Sequence, residues 1–439
     1  LDTAWQRHEK SYDVMVYGKL AMLEQYQNPL GYVPKHVQRT VLYDMSWYVK
    51  YLLDAPEKLN FLNSEQKSRF LKLCDVLFTF IDASTILEFN LAGIWFMHKV
   101  GMLGAFKQEA PTSQIGYIEN IDREQKQICL RYFTYFEQNT ESFQINGVDI
   151  TSNYRKVVRH NFGEELFVYE VRAWLAYGDI DSKLALYIDG KQARLTLKGK
   201  QYKTAIALKE IIQGFRPSTK YVTDGSWLLM DRDTQADDNA EHLYRYIRRH
   251  YPEQVCYFAL NRDSADWARL TAEGFNLLAF GTKPFERQLR KASKIISSHL
   301  DRYINNYFGD EYEYSKKFIF LQHGVIHNNL SQWFSSKKNL QCVVTATQPE
   351  YDSLVHGGEY ALTEKEVVLT GFPRHDALIA NNTHDQKIIL VMPTWRKSLV
   401  ADTIGLGNKR GFNHDFMTTR YARHWHSFLH SAQLRQLTE

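Results

Sequence analysis

The spacing of hydrophobic positions changes twice along the chain. From the start to about Gly104, apolar residues recur at helical intervals. The clearest case follows Asn63, a residue type suited to capping a helix: Phe70, Leu73, Cys74, Leu77, Phe78 and Ile81 fall on one face. Such a stripe is expected to be core, and residues 1–110 read as a helical linking region with no chemistry of their own. From about Ile115 to Lys198 the period becomes two. Ile128, Leu130 and Tyr132 alternate along one run, as do Phe167, Tyr169 and Val171, and Leu184, Leu186 and Ile188. Asn146-Gly147 and Asp189-Gly190 are hairpin-turn pairs between such runs. Residues 111–205 therefore predict a small β-rich module, a sandwich acting as spacer or docking surface.

Beyond about Lys200, short β-branched or aromatic runs alternate with helical stretches. Strands are expected at 226–230, 255–259, 276–279, 294–297, 318–321, 342–345 and 367–369, with helices such as 240–250 and 265–273 between them. This alternation predicts an α/β fold with a parallel, doubly wound sheet over residues 206–384. A further strand at 387–391 opens a second, incomplete Rossmann-like unit at 385–439. In such sheets ligands bind at the carboxyl ends of the strands.

Composition narrows the class without fixing it. At 439 residues and 44% hydrophobic, the chain can build several cores, and 24% charged residues exclude a membrane bundle and a disordered acidic chain. A net charge of +4 suits contact with an anionic surface or polymer and does not call for nucleic acid. The four cysteines, Cys74, Cys129, Cys256 and Cys342, are far apart and form no CxxC pair. They predict buried, reduced thiols in a cytoplasmic protein, with neither a disulfide framework nor a zinc site. No apolar run reaches the roughly 18 residues of a membrane span, so any membrane association is expected to be peripheral. The chain opens at Leu1 and stops at Glu439 inside a helical pattern, which reads as a piece of a longer protein.

Candidate chemistry gathers after the predicted strands. His299 lies in Ser297-Ser298-His299, His323 in Gln322-His323-Gly324, His327 four residues on, and His375 in Arg374-His375-Asp376. His323 and His327 lack the glutamate of an HExxH zinc motif, and no metal site is expected. Gly324 is expected to let the backbone turn sharply, and a helix start nearby would aim free N–H groups at an anion. In that position His323 is either a general base or a hydrogen-bonded loop histidine. In Thr370-Gly371-Phe372-Pro373-Arg374-His375-Asp376, Arg374 either offers its planar fork to phosphate or pairs with Asp376. In Met392-Pro393-Thr394-Trp395-Arg396, Thr394 and Arg396 either bind a pyrophosphate or serve as a helix cap and a solvated arginine.

In order and spacing, Ser297-Ser298-His299, Gln322-His323-Gly324, Gly371-Phe372-Pro373-Arg374-His375-Asp376 and Pro393-Thr394-Trp395-Arg396 together resemble the CDP-glycerol glycerophosphotransferase family. These are the teichoic-acid polymerases and related bacterial capsule polymerases. Asp237-Asp238-Asn239 also looks like part of the family's first strand–helix unit, and the resemblance covers roughly residues 220–397. It implies a GT-B-like pair of Rossmann domains, preceded here by the helical segment and the β-rich module. The implied reaction adds polyol phosphate from CDP-glycerol or CDP-ribitol to a polyanionic polymer acceptor, releasing CMP. By the same resemblance His323 is the catalytic base, and Gly324, Arg374, His375, Thr394 and Arg396 contact the donor phosphates. Ser298, His299, His327 and Asp376 line the acceptor side or the cleft. The co-substrate is the CDP-polyol, no cofactor is required by the motifs, and Mg²⁺ is left open. A glycosyltransferase domain in the same parent chain is a further expectation. His375 stands where the family more often has Asn, and the family's later Asp-Tyr-Ser-Ser segment has no counterpart in these residues. The competing readings are a GT-B glycosyltransferase using a nucleotide sugar and a non-catalytic scaffold.

Overall fold

Asn63 begins a helix by a reciprocal cap: its side chain accepts the Gln66 N–H at 2.9 Å, and the Gln66 side chain accepts the Asn63 N–H at 3.0 Å. The helix that follows, Ser64–Thr79, buries Phe70, Cys74, Leu77 and Phe78, the stripe expected from spacing alone. The computed structural model describes residues 5–29, 31–215, 223–309, 317–337, 340–382, 390–394, 396–402, 404 and 410–438. They fall into two compact units, one holding residues up to 216 together with residues 352–365, the other holding the rest.

In the first unit the helices Lys35–Leu52, Ser64–Thr79, Ala83–Glu88 and Phe96–Lys107 share one apolar core. A buried glutamine ties two of them. Gln38 Nε2 donates to the Val33 carbonyl at 2.7 Å and to Asp82 at 2.8 Å, while its Oε1 accepts the Asp82 N–H and the Thr85 hydroxyl, each at 2.8 Å. Every polar atom of its amide is thus engaged, as burial requires.

Two sheets follow. One has six strands in the order Lys200–Tyr202, Arg194–Leu197, Ile115–Asp122, Gln127–Thr134, Glu165–Ala176, Tyr154–Phe162. The other runs Ile206–Ala207, Lys183–Ile188, Glu141–Ile145, Val148–Ile150. Both expected hairpin pairs turn through positive φ, Asn146-Gly147 at +51° and +80° and Asp189-Gly190 at +50° and +72°. Alternation fails, however, along Gln127–Thr134, where every residue except Arg131 is buried. The larger sheet serves two cores. Ile128, Leu130 and Tyr132 pack with Leu184, Leu186 and Ile188, while Phe133 and Phe167 belong to the helical core. The helix Phe96–Lys107 reaches that sheet through its glycines: a Cβ on Gly101 would lie 2.1 Å from the Phe167 ring, and one on Gly104 2.1 Å from Tyr135.

An ion network joins the helices to the sheet. Asp54 accepts the Asn161 N–H at 2.8 Å and meets His160 Nδ1 at 2.6 Å, and Glu170, behind it, pairs with His160, Arg172 and Arg131. Burial alone would depress the His160 imidazole. The hydrogen bond to Asp54 and the nearby charge of Glu170, 3.7 Å from Nε2, outweigh it and raise it to about 9. The folded value lies above the unfolded one, so this contribution is complete below about pH 6.5 and is lost as pH rises through about 9. The thermal midpoint of this unit is expected to fall between those limits by an amount worth on the order of 1–3 kcal/mol. His160→Gln should abolish that pH dependence in a calorimetric scan, and an unchanged slope would remove the network from the account.

Residues 352–365 are held in this unit by two lysines. Lys156 is buried and donates to the carbonyls of Leu354 at 3.3 Å, Val355, and Gly357 at 2.5 Å. Lys365 donates to Asp122, Gln125 and Gln127 at 2.8, 2.6 and 2.7 Å.

In the second unit the described strands form a seven-stranded parallel sheet. Its order is Leu277–Ala279, Cys256–Leu260, Trp227–Met230, Lys294–Ser297, Lys317–Phe320, Leu340–Thr345, Val367–Leu369. The fold is α/β, with the helices Asn239–His250, Trp267–Ala272 and Lys283–Lys291 in the crossovers of the first half. The sheet is buried on both faces, which is why its strands read as continuous apolar runs: Leu229, Phe258, Leu260 and Ile296 are essentially inaccessible. Strand order reverses between Trp227–Met230 and Lys294–Ser297, and that switch point is where such sheets place ligands. Of the strand expected at 387–391, residues 387–389 lie outside the described residues, and Leu390 and Val391 carry no strand. Among the described residues no helix is long and apolar enough to cross a membrane.

Candidate active site

Asp231 follows directly on Trp227–Met230 and is wholly buried. Its carboxylate accepts the N–H groups of Asp238 at 3.1 Å, Ala240 at 2.9 Å and Glu241 at 3.1 Å, and the Ser298 hydroxyl. These are the first N–H groups of the helix Asn239–His250, the place where dinucleotide-binding folds hold a phosphate. Here the chain's own carboxylate occupies it. Burial pushes the Asp231 carboxyl up to about 7, against the pull of Ser298 and the backbone N–H groups. An anion arriving at this end of the sheet would therefore meet side chains rather than the N–H groups of this helix start.

Asp238 and Asn239 tie three strand ends together. Asp238 pairs with the Arg374 guanidinium at 2.5 Å, so Arg374 does not pair with Asp376. Asn239 Oδ1 accepts the Arg374 N–H at 3.2 Å, and its Nδ2 donates to the Gln322 carbonyl at 2.6 Å. Gly371, at φ +80°, makes the turn into the helix Pro373–Ala380 that presents Arg374.

The Gln322-His323-Gly324 loop is built differently from the sequence expectation. The left-handed residue is Gln322, at φ +60°, not Gly324. Gln322 can hold that conformation because its buried amide donates to the Val344 carbonyl at 2.6 Å and to Glu350 at 3.2 Å. No helix starts beside His323; the next described one is Ser331–Ser335. Glu350 instead takes the Ile326 N–H at 2.8 Å and the Ala346 N–H at 2.9 Å, bracing the loop from the side.

His323 is exposed and stacks on the buried His299, with ring centroids 4.7 Å apart and planes 14° from parallel. Arg232 Nε donates to His299 Nε2 at 3.2 Å. Burial, with Arg232 and His323 alongside, pushes His299 down to about 3, so its ring is neutral and carries its proton on Nδ1, the edge facing Asp301 at 4.0 Å.

Of the residues singled out from sequence, the structure brings Ser298, His299, His323 and Arg374 into one cluster. Gly324 leaves open space where a Cβ would sit, and His327 is exposed. His375 is exposed, with its ring 5.2 Å from Phe372, and Asp376 is exposed in the first turn of its helix. Thr394 and Arg396 are not drawn in: among the described residues the Thr394 carbonyl accepts from the Tyr421 hydroxyl at 2.6 Å, and Arg396 lies 5.9 Å from the Tyr421 ring. Trp395 lies outside the described residues. Sequence reasoning missed Asp231, Arg232 and Asn239 as site residues. The available signal was a run of charge, Asp231-Arg232-Asp233, immediately after an apolar strand. Among the described residues no group of three or more His, Cys, Asp or Glu is placed to hold a metal ion.

Residues 220–425 match the family described as CDP-Glycerol:Poly(glycerophosphate) glycerophosphotransferase. Minor teichoic acid biosynthesis protein GgaB of Bacillus subtilis (strain 168) is 33% identical over 216 residues, which is 47% of this chain and 23% of that protein. The chain thus spans less than a quarter of the length of that relative. Among solved structures, the wall teichoic acid polymerase TagF soaked with CDPG aligns with 41% of this chain and 50% of its own, at 13% identity and a TM-score of 0.33. A second TagF structure aligns with 40% of this chain and 49% of its own, at 15% identity and a TM-score of 0.32.

Proposed function

We infer from the match of residues 220–425 to the CDP-glycerol glycerophosphotransferase family, and from the likeness of this chain to GgaB, that it transfers glycerol phosphate or ribitol phosphate from a CDP-activated donor to a teichoic-acid-like polymer. The observation that carries this reading is the convergence of His323, His299, Arg232 and Arg374 at the carboxyl ends of the strands, inside the matched segment. In the reaction, an acceptor hydroxyl attacks the β-phosphorus of the donor. A new phosphodiester bond forms, the phosphoanhydride bond to CMP breaks, and the hydroxyl proton passes to His323. Phosphoryl transfer of this kind is governed by positioning and charge stabilisation, which a mouth lined by two guanidinium groups and an exposed imidazole can supply.

His323 fits the base because it is exposed at the mouth while the groups behind it are fixed. Arg374, oriented by Asp238, is suited to a donor phosphate. The test is a comparison of donors with the full chain and an oligomeric acceptor. Acceptor-dependent CMP release from CDP-glycerol or CDP-ribitol supports the reading. Turnover of a UDP-sugar with no CMP release from either donor would replace it with glycosyl transfer on the same fold.

A further inference from the structure

Arg232 is the guanidinium of this cluster without a carboxylate. It is exposed just past the end of Trp227–Met230, beside the switch point of the sheet. Its Nε edge is used by His299, and among the described residues no ion pair neutralises it. The carboxylates nearby are engaged elsewhere. Asp231 receives three N–H groups and the Ser298 hydroxyl, Asp233 accepts from the Asn261 amide at 3.1 Å, and Asp238 pairs with Arg374 through Oδ1, while its Oδ2 lies 3.8 Å from His299 Nε2 without an ion pair to Arg232 among the described residues. Asp301 faces the Nδ1 edge of His299, opposite the edge that Arg232 uses.

His299 is an unusual seat for an arginine. It is buried, braced by the Ser297 hydroxyl on its own N–H at 3.0 Å and by the stack with His323, and it carries no charge to offset the guanidinium. A neutral acceptor on Nε fixes the plane of the guanidinium while leaving the pair of terminal nitrogens free. That is the geometry that grips two oxygens of a phosphate at once. The helix start beneath cannot compete for the anion, because Asp231 fills it.

We propose that Arg232, seated on His299, is a phosphate-binding residue of this site and holds a substrate phosphate against the exposed face of His323. Which phosphate it holds, that of the CDP-linked donor or that of the polymer acceptor, rests on the transferase reading; the anion site itself does not. The sequence gives no hint of it, since an arginine after a strand reads as solvated until His299, 67 residues later, is seen beneath it.

Inorganic phosphate is the first probe. It is titrated into the full chain while the imidazole signals of His299 and His323 are followed by NMR, alongside Arg232→Gln and Arg232→Lys. Saturable shifts of both signals in the wild type are expected, with affinity about tenfold weaker in Arg232→Gln. The lysine variant should recover less than half of that loss, because an ammonium has no Nε edge to seat on His299. Absence of saturable shifts, or equal affinity in Arg232→Gln, overturns the proposal. Steady-state kinetics then separates the sources. A raised KM for CDP-glycerol in Arg232→Gln assigns the donor phosphate, a raised KM for the oligomeric acceptor assigns the acceptor phosphate, and no change in either overturns a substrate role. If no CDP donor is turned over at all, the transferase reading fails while the phosphate titration still decides the anion site.

Discussion

Replacing His323 with alanine is expected to lower turnover of the CDP-polyol by roughly a hundredfold or more, the scale of a lost general base, while leaving the thermal midpoint within about 2 °C of the wild type. The two halves of this expectation come from different observations. His323 is exposed, and its ring contact is the stack with His299, so its removal opens no core cavity. The loop that carries it is held by Gln322, Asn239 and Glu350, none of which changes in the variant. A loss of rate without a loss of fold therefore isolates the proton transfer. KM for the donor should move little, because the phosphate contacts are assigned to arginines. Turnover within about threefold of wild type would take the base away from His323.

The largest effect on stability is expected from Asp231→Ala. The substitution leaves the N–H groups of Asp238 and Glu241 and the Ser298 hydroxyl without their acceptor in a site closed to water, while the Ala240 N–H keeps only Ser298 Oγ, at 3.1 Å. Breaking a buried polar network of this kind costs about 3–5 kcal/mol. For a unit of this size that is a drop of roughly 10 °C in midpoint. Because burial raises the Asp231 carboxyl to about 7, the wild-type unit should also lose stability as pH rises from about 4 towards 7, and the variant should lack that slope. Differential scanning calorimetry over that range checks both points. A fall of less than about 2 °C would mean that water or a neighbouring group replaces the carboxylate.

Much of this could be read from sequence, for identifiable reasons. Parallel strands buried on both faces are continuous apolar runs, so 294–297 and 367–369 were placed to the residue and 226–230 to within one. Turn chemistry is local, so Asn146-Gly147 and Asp189-Gly190 were legible. What failed was whatever depends on distant partners. Gln127–Thr134 lost its alternation because a helix, from earlier in the chain, covers its second face. The His323 loop took its left-handed residue from Gln322, a choice stabilised by Val344 and Glu350, more than twenty residues away. Asp231 and Arg232 acquire meaning only through Ser298, His299 and the start of the next helix, and no short motif announces that arrangement. The histidines and Arg374 were found because they stand in recognisable turns after strands. Thr394 and Arg396 follow directly on no described strand, and their described contacts run to Tyr421.

The central claim is that the cluster moves a polyol phosphate, and ³¹P NMR of the reaction tests it most directly. The full chain is incubated with CDP-glycerol and an oligomeric acceptor, and the donor and product signals are followed together. The account predicts that the two phosphoanhydride signals of the donor disappear as CMP and a new phosphodiester signal grow in equal amounts, with neither change in the absence of acceptor. Donor signals that persist with an active preparation, or CMP formed with free glycerol phosphate and no phosphodiester, would contradict it.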